Sequence, residues 1–379
     1  MRLVVTTSYP RFAGDAAGNF VETRVKKALA AGQAVQVIAA GQGPQAGDAG
    51  FAGLAIWRVP FIPGELPLDF RTSELPPGAS EPLALFYAQG APELFEARPG
   101  CALVQAVFFW AGLLKAIRML EAPFDAIESH WLLPSALAVR AAGLAGPHTA
   151  YAHSGDVALL ERLPLGPALA RWLVGAQMEL VFASADLQRR FGRLLGNRAD
   201  LLGGLGGRSR VEPAQSPLLA ELSPRGRDGA SPRARPVIVG VGRLVPIKGY
   251  DVLVRALGRL PPAQRPELVL VGEGPERARL AEMARARGVA LTLAGQRPPG
   301  EVARFLAGAD LFVHPSRRLD SGRTEGTPVA VAEARAAGLP VVASASGGLA
   351  ALEGPDVTLV LPDDPASLSA ALAAALGLE

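Results

Sequence analysis

The stretch from Glu325 to Ser344, EGTPVAVAEARAAGLPVVAS, decides the fold. Thr327 is a good helix N-cap residue, and Pro328 suits the first helical position because its missing N–H has no partner to lose there, so a helix is expected to start at Pro328. After it comes a short β-branched strand, Val341 to Ala343, and a helix feeding such a strand is the unit of a parallel sheet covered by crossover helices. The free N–H groups and positive dipole end of the helix make an anion site, so a phosphate can sit against Gly326, Thr327, Pro328 and Val329, with Glu325 just outside. Glu333 falls in the second turn. A carboxylate only accepts hydrogen bonds, which suits Glu333 to vicinal hydroxyls of a sugar or ribose. Taken singly, each glutamate also reads as an ordinary helix charge stabilised by the dipole.

Upstream, GVGRLVPIKGYDVL places Arg243 and Lys248 directly after the strand Val237 to Val241. A guanidinium and an ammonium at that sheet edge can hold a diphosphate by bidentate and point-charge contacts. Two solvated surface charges are the alternative, but the chain has only four lysines among its 38 basic residues, so a lysine in a Gly-flanked turn stands out. VGEGP, Val271 to Pro275, offers Gly272 and Gly274 for close approach of backbone to a ligand.

The same alternation runs the length of the chain. Strands are expected at Leu3 to Thr7, Val35 to Ala39, Ala55 to Val59, Ala126 to Ser129, Thr149 to Ala152 and Val181 to Ser184, and again at Leu268 to Val271, Leu291 to Ala294, Leu311 to His314 and Thr358 to Leu361. A helix from Asn19 to Ala31 ends at Gly32, as a left-handed cap requires. Between Gly203 and Pro236 the pattern stops in GGLGG followed by Pro, Ser and six Arg. The expected organisation is therefore a Rossmann-like domain over 1–205, an Arg/Pro/Gly-rich linker over 206–235 and a second Rossmann-like domain over 236–379. In doubly wound α/β units, ligands bind at the carboxyl ends of the strands, which places the expected site in a cleft between the two sheets.

Composition excludes other classes. At 379 residues, 49% apolar and 19% charged, the chain is globular and long enough for two cores. A net charge of +3 gives little reason to expect nucleic acid. The lone Cys101 forms no internal disulfide and suits a reducing, cytoplasmic setting. The start, MRLVVTTSYP, is too short an apolar run for a signal peptide. Cys101 to Leu114 is apolar but shorter than the ~20 residues of a span. It reads as a buried helix, leaving peripheral contact with an anionic membrane through surface Arg as the most that is expected.

In the first half, TSYPRFAGDAAGNF sets Gly14 and Gly18 in the loop after the first strand, consistent with a phosphate-facing loop or with a plain strand-to-helix turn. His130 in HWLLPSA and His153 in HSGD stand at expected strand ends. A lone histidine there is more often structural than catalytic. His148 and His314 are read as structural.

These strings resemble family-4 glycosyltransferases of the GT-B fold, whose hallmark is two glutamates separated by seven residues, the spacing of Glu325 and Glu333. GRLVPIKG, VGEGP, ADLFVHPS and EGTPVAVAEARAAGLPVVAS occur in the family's order, so the likeness covers Val237 to Leu372. It implies two doubly wound domains facing a cleft and a nucleoside-diphosphate sugar as donor. Arg243 and Lys248 would then hold the diphosphate, Glu325 would touch the transferred sugar, Glu333 the ribose, and the segment around Gln296 and Arg297 the base. HSGD is similar to the family's His-x-Gly-Asp segment. This sets His153 beside the sugar and lets Asp156 steer the acceptor or fix the loop, while Gly14 and Gly18 are similar to a glycine loop brought against the phosphates.

The expected activity is a retaining, metal-independent sugar transfer to an unidentified glycan, lipid-linked or small-molecule acceptor, with no cofactor. No Asp-x-Asp metal pair stands at a strand end. A GT-B epimerase or phosphorylase, or a non-catalytic nucleotide-sugar-binding protein, are the rival readings. Three departures stand out. GGRSRVEPAQSP replaces the family's Pro-Gly-Val-Asp-like turn, Gln33 and Ala34 replace a common His-acidic pair, and the sequence ends at Glu379, just after an expected helix Ala366 to Leu376, where many members continue into a crossing helix.

Overall fold

The computed structural model describes residues 1–10, 18–41, 53–61, 98–120, 123–175, 178–212, 216–220, 222, 235–320, 322–326, 328–352 and 354–378. The chain divides into two compact units, Met1–Pro213 and Ala214–Glu379.

In the first unit, β1 (Arg2–Val5), β2 (Val35–Ala40), β3 (Leu54–Val59), β4 (Ala126–His130), β5 (His148–Ala152), β6 (Met178–Phe182) and β7 (Ser209–Val211) form one sheet. The order is β3-β2-β1-β4-β5-β6-β7, every pair parallel. Successive side chains of β1 point to opposite faces. Val4 joins Val21, Val25 and Ala28 of α1 (Asn19–Ala30), whereas Leu3 and Val5 join Phe109, Leu113 and Ile117 of α2 (Pro99–Arg118). The period-2 sheet and two 3.6-period helices thus bury a core on each face of the sheet, each large apolar side chain contributing about 1.5–3 kcal/mol. After β4 come α3 (Leu137–Ala142), α4 (Ser154–Arg162), α5 (Gly166–Val174), α6 (Ala185–Leu194) and α7 (Ala199–Gly207).

The second unit repeats the scheme with β8 (Val237–Val241), β9 (Glu267–Val271), β10 (Leu291–Gly295), β11 (Leu311–His314), β12 (Val341–Ser344) and β13 (Val357–Val360), in parallel order β10-β9-β8-β11-β12-β13. Its helices are α8 (Tyr250–Arg259), α9 (Arg277–Ala286), α10 (Pro299–Gly308), α11 (Val329–Ala336) and α12 (Pro365–Leu376). Ile238, Leu311 and Val313 pack with α8 and α12, while Val239, Phe312 and Val341 pack with α10 and α11. With strand order reversing direction between β8 and β11, the carboxyl ends of these two strands form the switch point where open α/β sheets bind ligands.

The structure corrects four expectations. Residues 206–212 belong to the first unit: α7 runs to Gly207 because Leu205 is buried, and Ser209–Val211 adds an edge strand to β6 through backbone bonds that need no apolar alternation. Ser216 and Leu218 belong to the second unit, where Leu218 enters the core. β6 starts at Met178 and ends at Phe182, leaving Ser184 to cap α6 by accepting the Leu187 N–H. Finally, α2 is not simply buried. It reaches 20 residues, long and apolar enough by length and composition to cross a membrane, yet Ala102, Gln105, Phe109, Leu113 and Ile117 pack on the sheet while Leu103, Val104, Val107 and Phe108 are exposed.

Candidate functional site

In the second unit the site grows from three loop ends at the carboxyl edge of the sheet. β8 passes through Gly242 (φ 151°) to Arg243, which is exposed. A Cβ at Gly242 would meet Lys248 and the Tyr250 hydroxyl, and one at Gly272 would strike the Gly242 carbonyl. These glycines therefore let two loops lie against each other. Pro246–Lys248 forms a single tight turn closed by Gly249 (φ 65°), whose missing Cβ leaves room for the Pro315 carbonyl. That turn aims Lys248 inward.

Lys248 Nζ donates to Glu325 Oε2 at 2.7 Å, with both side chains about 15% exposed. The His314 ring meets the same oxygen, Nε2 to Oε2 3.0 Å, from the last residue of β11. Glu325's backbone is fixed on the far side, where Gly348 N–H donates to its carbonyl and Gly347 has no room for a side chain. Burial alone would raise the Glu325 pKa, but the Lys248 ammonium and the His314 ring more than offset it and hold the carboxylate well below its usual range. Burial, then Lys248, lowers the pKa of His314. A neutral His314 with its proton on Nε2 makes this contact a donor bond, because Nδ1 is buried without a partner. Tyr250, fully buried beside Gly242, has its hydroxyl pKa pushed up by burial and by Glu325.

α11 begins at Val329 with Pro328 as its N-cap (φ −65°, ψ 130°), so Pro328 precedes the first helical position instead of occupying it. The extended ψ of Pro328 sets the boundary one residue later. Thr327, expected as the cap, lies outside the described residues, as does Gly14. Gly326 is described and half-buried between Glu325 and that helix start. Glu333, one turn into α11, accepts a hydrogen bond from Ser216 Oγ, and burial raises its pKa against the lowering effect of that bond. Arg297 binds its own turn, donating to the Ala294 carbonyl and pairing with Glu301.

The first unit carries a second constellation at the ends of β4 and β5. Asp156, in the first turn of α4, accepts N–H groups from Leu132 (2.5 Å), His153 (2.9 Å) and Val157 (2.8 Å). It thereby ties the turn after β4, where Trp131 has φ 67°, to the turn after β5. Burial pushes its carboxyl up to about 7 despite the lowering by those N–H groups. His153 completes a capping box by accepting the Asp156 N–H on its ring. Its Nε2 has no partner, so Nδ1 is the acceptor and Nε2 carries the proton. The ring sits among Phe20, Trp131 and His130, and burial, then His130, pulls its pKa down to about 3. His153 is thus a neutral donor. His130 stacks on Tyr151 at 4.6 Å and is a packing residue. Gly18, at the N-cap of α1 with φ 73°, is explained by backbone: a Cβ there would strike the Ser8 carbonyl.

The structure joins Lys248, Glu325 and His314 in one cluster, with Arg243 at the end of the neighbouring strand. His148 stays structural, bonding Ser129 at 2.8 Å. His314 was read as structural and Ser216 was not singled out. The position of His314 at the carboxyl end of an inner strand was the signal for the first, whereas Ser216 follows an aperiodic segment that gives none.

Residues 227–379 match the family profile described as Glycosyl transferases group 1. Over 248 residues the chain is 36% identical to the GDP-mannose-dependent alpha-(1-6)-phosphatidylinositol monomannoside mannosyltransferase of Mycobacterium tuberculosis, covering 61% of each chain. The chain thus spans about three fifths of the length of that curated relative. Sucrose-phosphate synthase from Thermosynechococcus elongatus shares the fold with a TM-score of 0.69 at 18% identity, covering 100% of this chain and 90% of that one. HepE from Anabaena, solved with UDP and glucose, does so with a TM-score of 0.62 at 16% identity, covering 99% and 90%.

Proposed function

We propose that this GT-B protein, whose residues 227–379 match the glycosyl transferases group 1 profile, is a retaining, metal-independent glycosyltransferase that moves a sugar from a nucleoside-diphosphate donor to a lipid-linked or other glycan acceptor. The observation that carries the reading is the cluster at the β8/β11 switch point, where Lys248, Glu325 and His314 meet within 3.0 Å beside the start of α11. A donor diphosphate is matched there by the Arg243 guanidinium, the Lys248 ammonium and the first N–H groups of α11 at Val329 and Ala330. Glu325 accepts from the transferred sugar, Glu333 from the ribose, and Gly272 lets backbone approach the nucleotide.

In the proposed step the acceptor hydroxyl attacks the anomeric carbon from the face that the diphosphate leaves. The bond from that carbon to the phosphate oxygen breaks, the new glycosidic bond forms with the same configuration, and the hydroxyl proton passes to the departing phosphate. Negative charge grows on the diphosphate as its bond breaks, and fixed cations already in place stabilise it without reorganising. The same cations make a metal unnecessary. His153, neutral with its Nε2–H buried and without a partner, is suited to act as a hydrogen-bond donor and not as a general base. The setting proposed is the cytoplasm, at an anionic membrane face. The outward stripe of α2, Leu103, Val104, Val107 and Phe108 ending in Lys115 and Arg118, suits shallow apolar contact with cations at the headgroups, and α2 contains no acidic residue.

Incubation with a panel of UDP-, GDP- and ADP-sugars tests the reading through release of nucleoside diphosphate. Release from at least one donor, strongly reduced but measurable in Glu325→Ala, is expected. A protein that neither binds nor consumes any of them refutes it.

A further inference from the structure

We infer that His314 is a positioning residue of the donor site: it holds Glu325 by one carboxylate oxygen so that the other faces the transferred sugar, and it keeps that hold when Lys248 turns to the diphosphate. The inference deepens the glycosyltransferase reading and rests on it.

Two donors converge on Oε2, Lys248 Nζ at 2.7 Å and His314 Nε2 at 3.0 Å, and among the described residues none is directed at Oε1. A carboxylate bound in this one-sided way presents its second oxygen as an acceptor. Lys248 cannot be the permanent half of the arrangement, because the same ammonium is assigned to the diphosphate, and a flexible four-carbon stem lets it change partner. His314 is different. It has no exposed surface, it stands on the last residue of an inner strand, and Phe312 lies nearly parallel to its ring at 6.2 Å. Its Nδ1 is buried without a partner, so its one polar contact is with Glu325. A histidine kept for packing alone would leave an apolar residue of similar size the better choice, since each unpaired buried polar atom costs free energy. Its retention is explained if the Nε2–H bond is what matters.

The test compares two substitutions in the full chain. His314→Met fills much of the same volume without a donor, and His314→Gln keeps an N–H at similar reach. For His314→Met, kcat with the best donor should fall roughly 10- to 100-fold, the loss of a hydrogen bond to a charged group, with KM for the donor changed less than about 3-fold. His314→Gln should recover kcat to within about 5-fold of the parent. His314→Met combined with Glu325→Ala should be no slower than Glu325→Ala alone, because one residue acts through the other. Parental kcat in His314→Met, equal loss in the Gln variant, or additive losses in the double variant would each overturn the inference. So would a His314→Met protein that loses its cooperative melt, which assigns the ring to the core. If Glu325→Ala itself turns over like the parent, the donor-site reading falls instead.

Discussion

Replacing Lys248 by Met removes one positive charge while leaving most of the stem that lies against Gly242. In the structure that ammonium is 2.7 Å from Glu325 Oε2, where two unit charges at an effective dielectric of 20 attract by about 6 kcal/mol before desolvation is counted. Most of that attraction offsets the cost of burying the pair, and breaking a buried pair typically costs about 3–5 kcal/mol because one charge is left unmatched. Here Glu325 retains His314, so the lower end, about 3 kcal/mol, is expected. For a unit of this size about 2–4 °C accompanies each kcal/mol, so the second unit should melt roughly 6–12 °C lower. Turnover should fall further than stability implies. Losing one fixed donor to a charge that grows in the transition state costs on the order of 10²- to 10³-fold in kcat. The assay is nucleotide release at saturating donor, at a temperature where calorimetry shows the variant folded. A variant that melts and turns over like its parent would refute both the ion pair's role and the diphosphate assignment.

Glu333→Ala should raise KM for the donor with little change in kcat, since ribose contacts are alike in the ground and transition states. Burial raises the Glu333 pKa above the ordinary 4.5, so the parent should lose donor affinity on acidification before an exposed carboxylate would, and a flat profile would contradict this. Asp156→Ala leaves three N–H groups without their acceptor and should cost the first unit about 3 kcal/mol by calorimetry. The folded pKa of Asp156 is raised from 3.8 to about 7. The stability this group contributes is therefore fully present below pH 3.8 and lost as pH rises through about 7, a slope that Asp156→Ala should abolish. Vesicles of anionic lipid should sediment the parent more than a Val104→Asp/Val107→Asp variant; equal sedimentation removes α2 as the contact.

The alternation of β-branched runs with helical stretches was enough to read both sheets, because parallel strands buried on two faces are apolar throughout. β7 escaped because Ser209, Arg210 and Val211 pair at an edge by backbone alone. Glu325 and Glu333 stand out in the sequence only through the resemblance to family-4 glycosyltransferases, and Lys248 through that resemblance and the rarity of lysine. That Glu325 takes two donors on one oxygen was not legible, since His314 is eleven residues away in sequence and the turn at Gly249 brings Lys248 from further still. The outward face of α2 was misread because apolar content says nothing about which stripe meets the sheet; only the packing of Phe109, Leu113 and Ile117 fixes that.

The most direct measurement is proton NMR of the sugar transferred from an α-linked donor in buffer containing EDTA. The anomeric coupling should show an α-linked product formed at an undiminished rate. A β-linked product, or a reaction abolished by EDTA and restored by Mg²⁺, would contradict front-face transfer supported by Arg243, Lys248 and the start of α11.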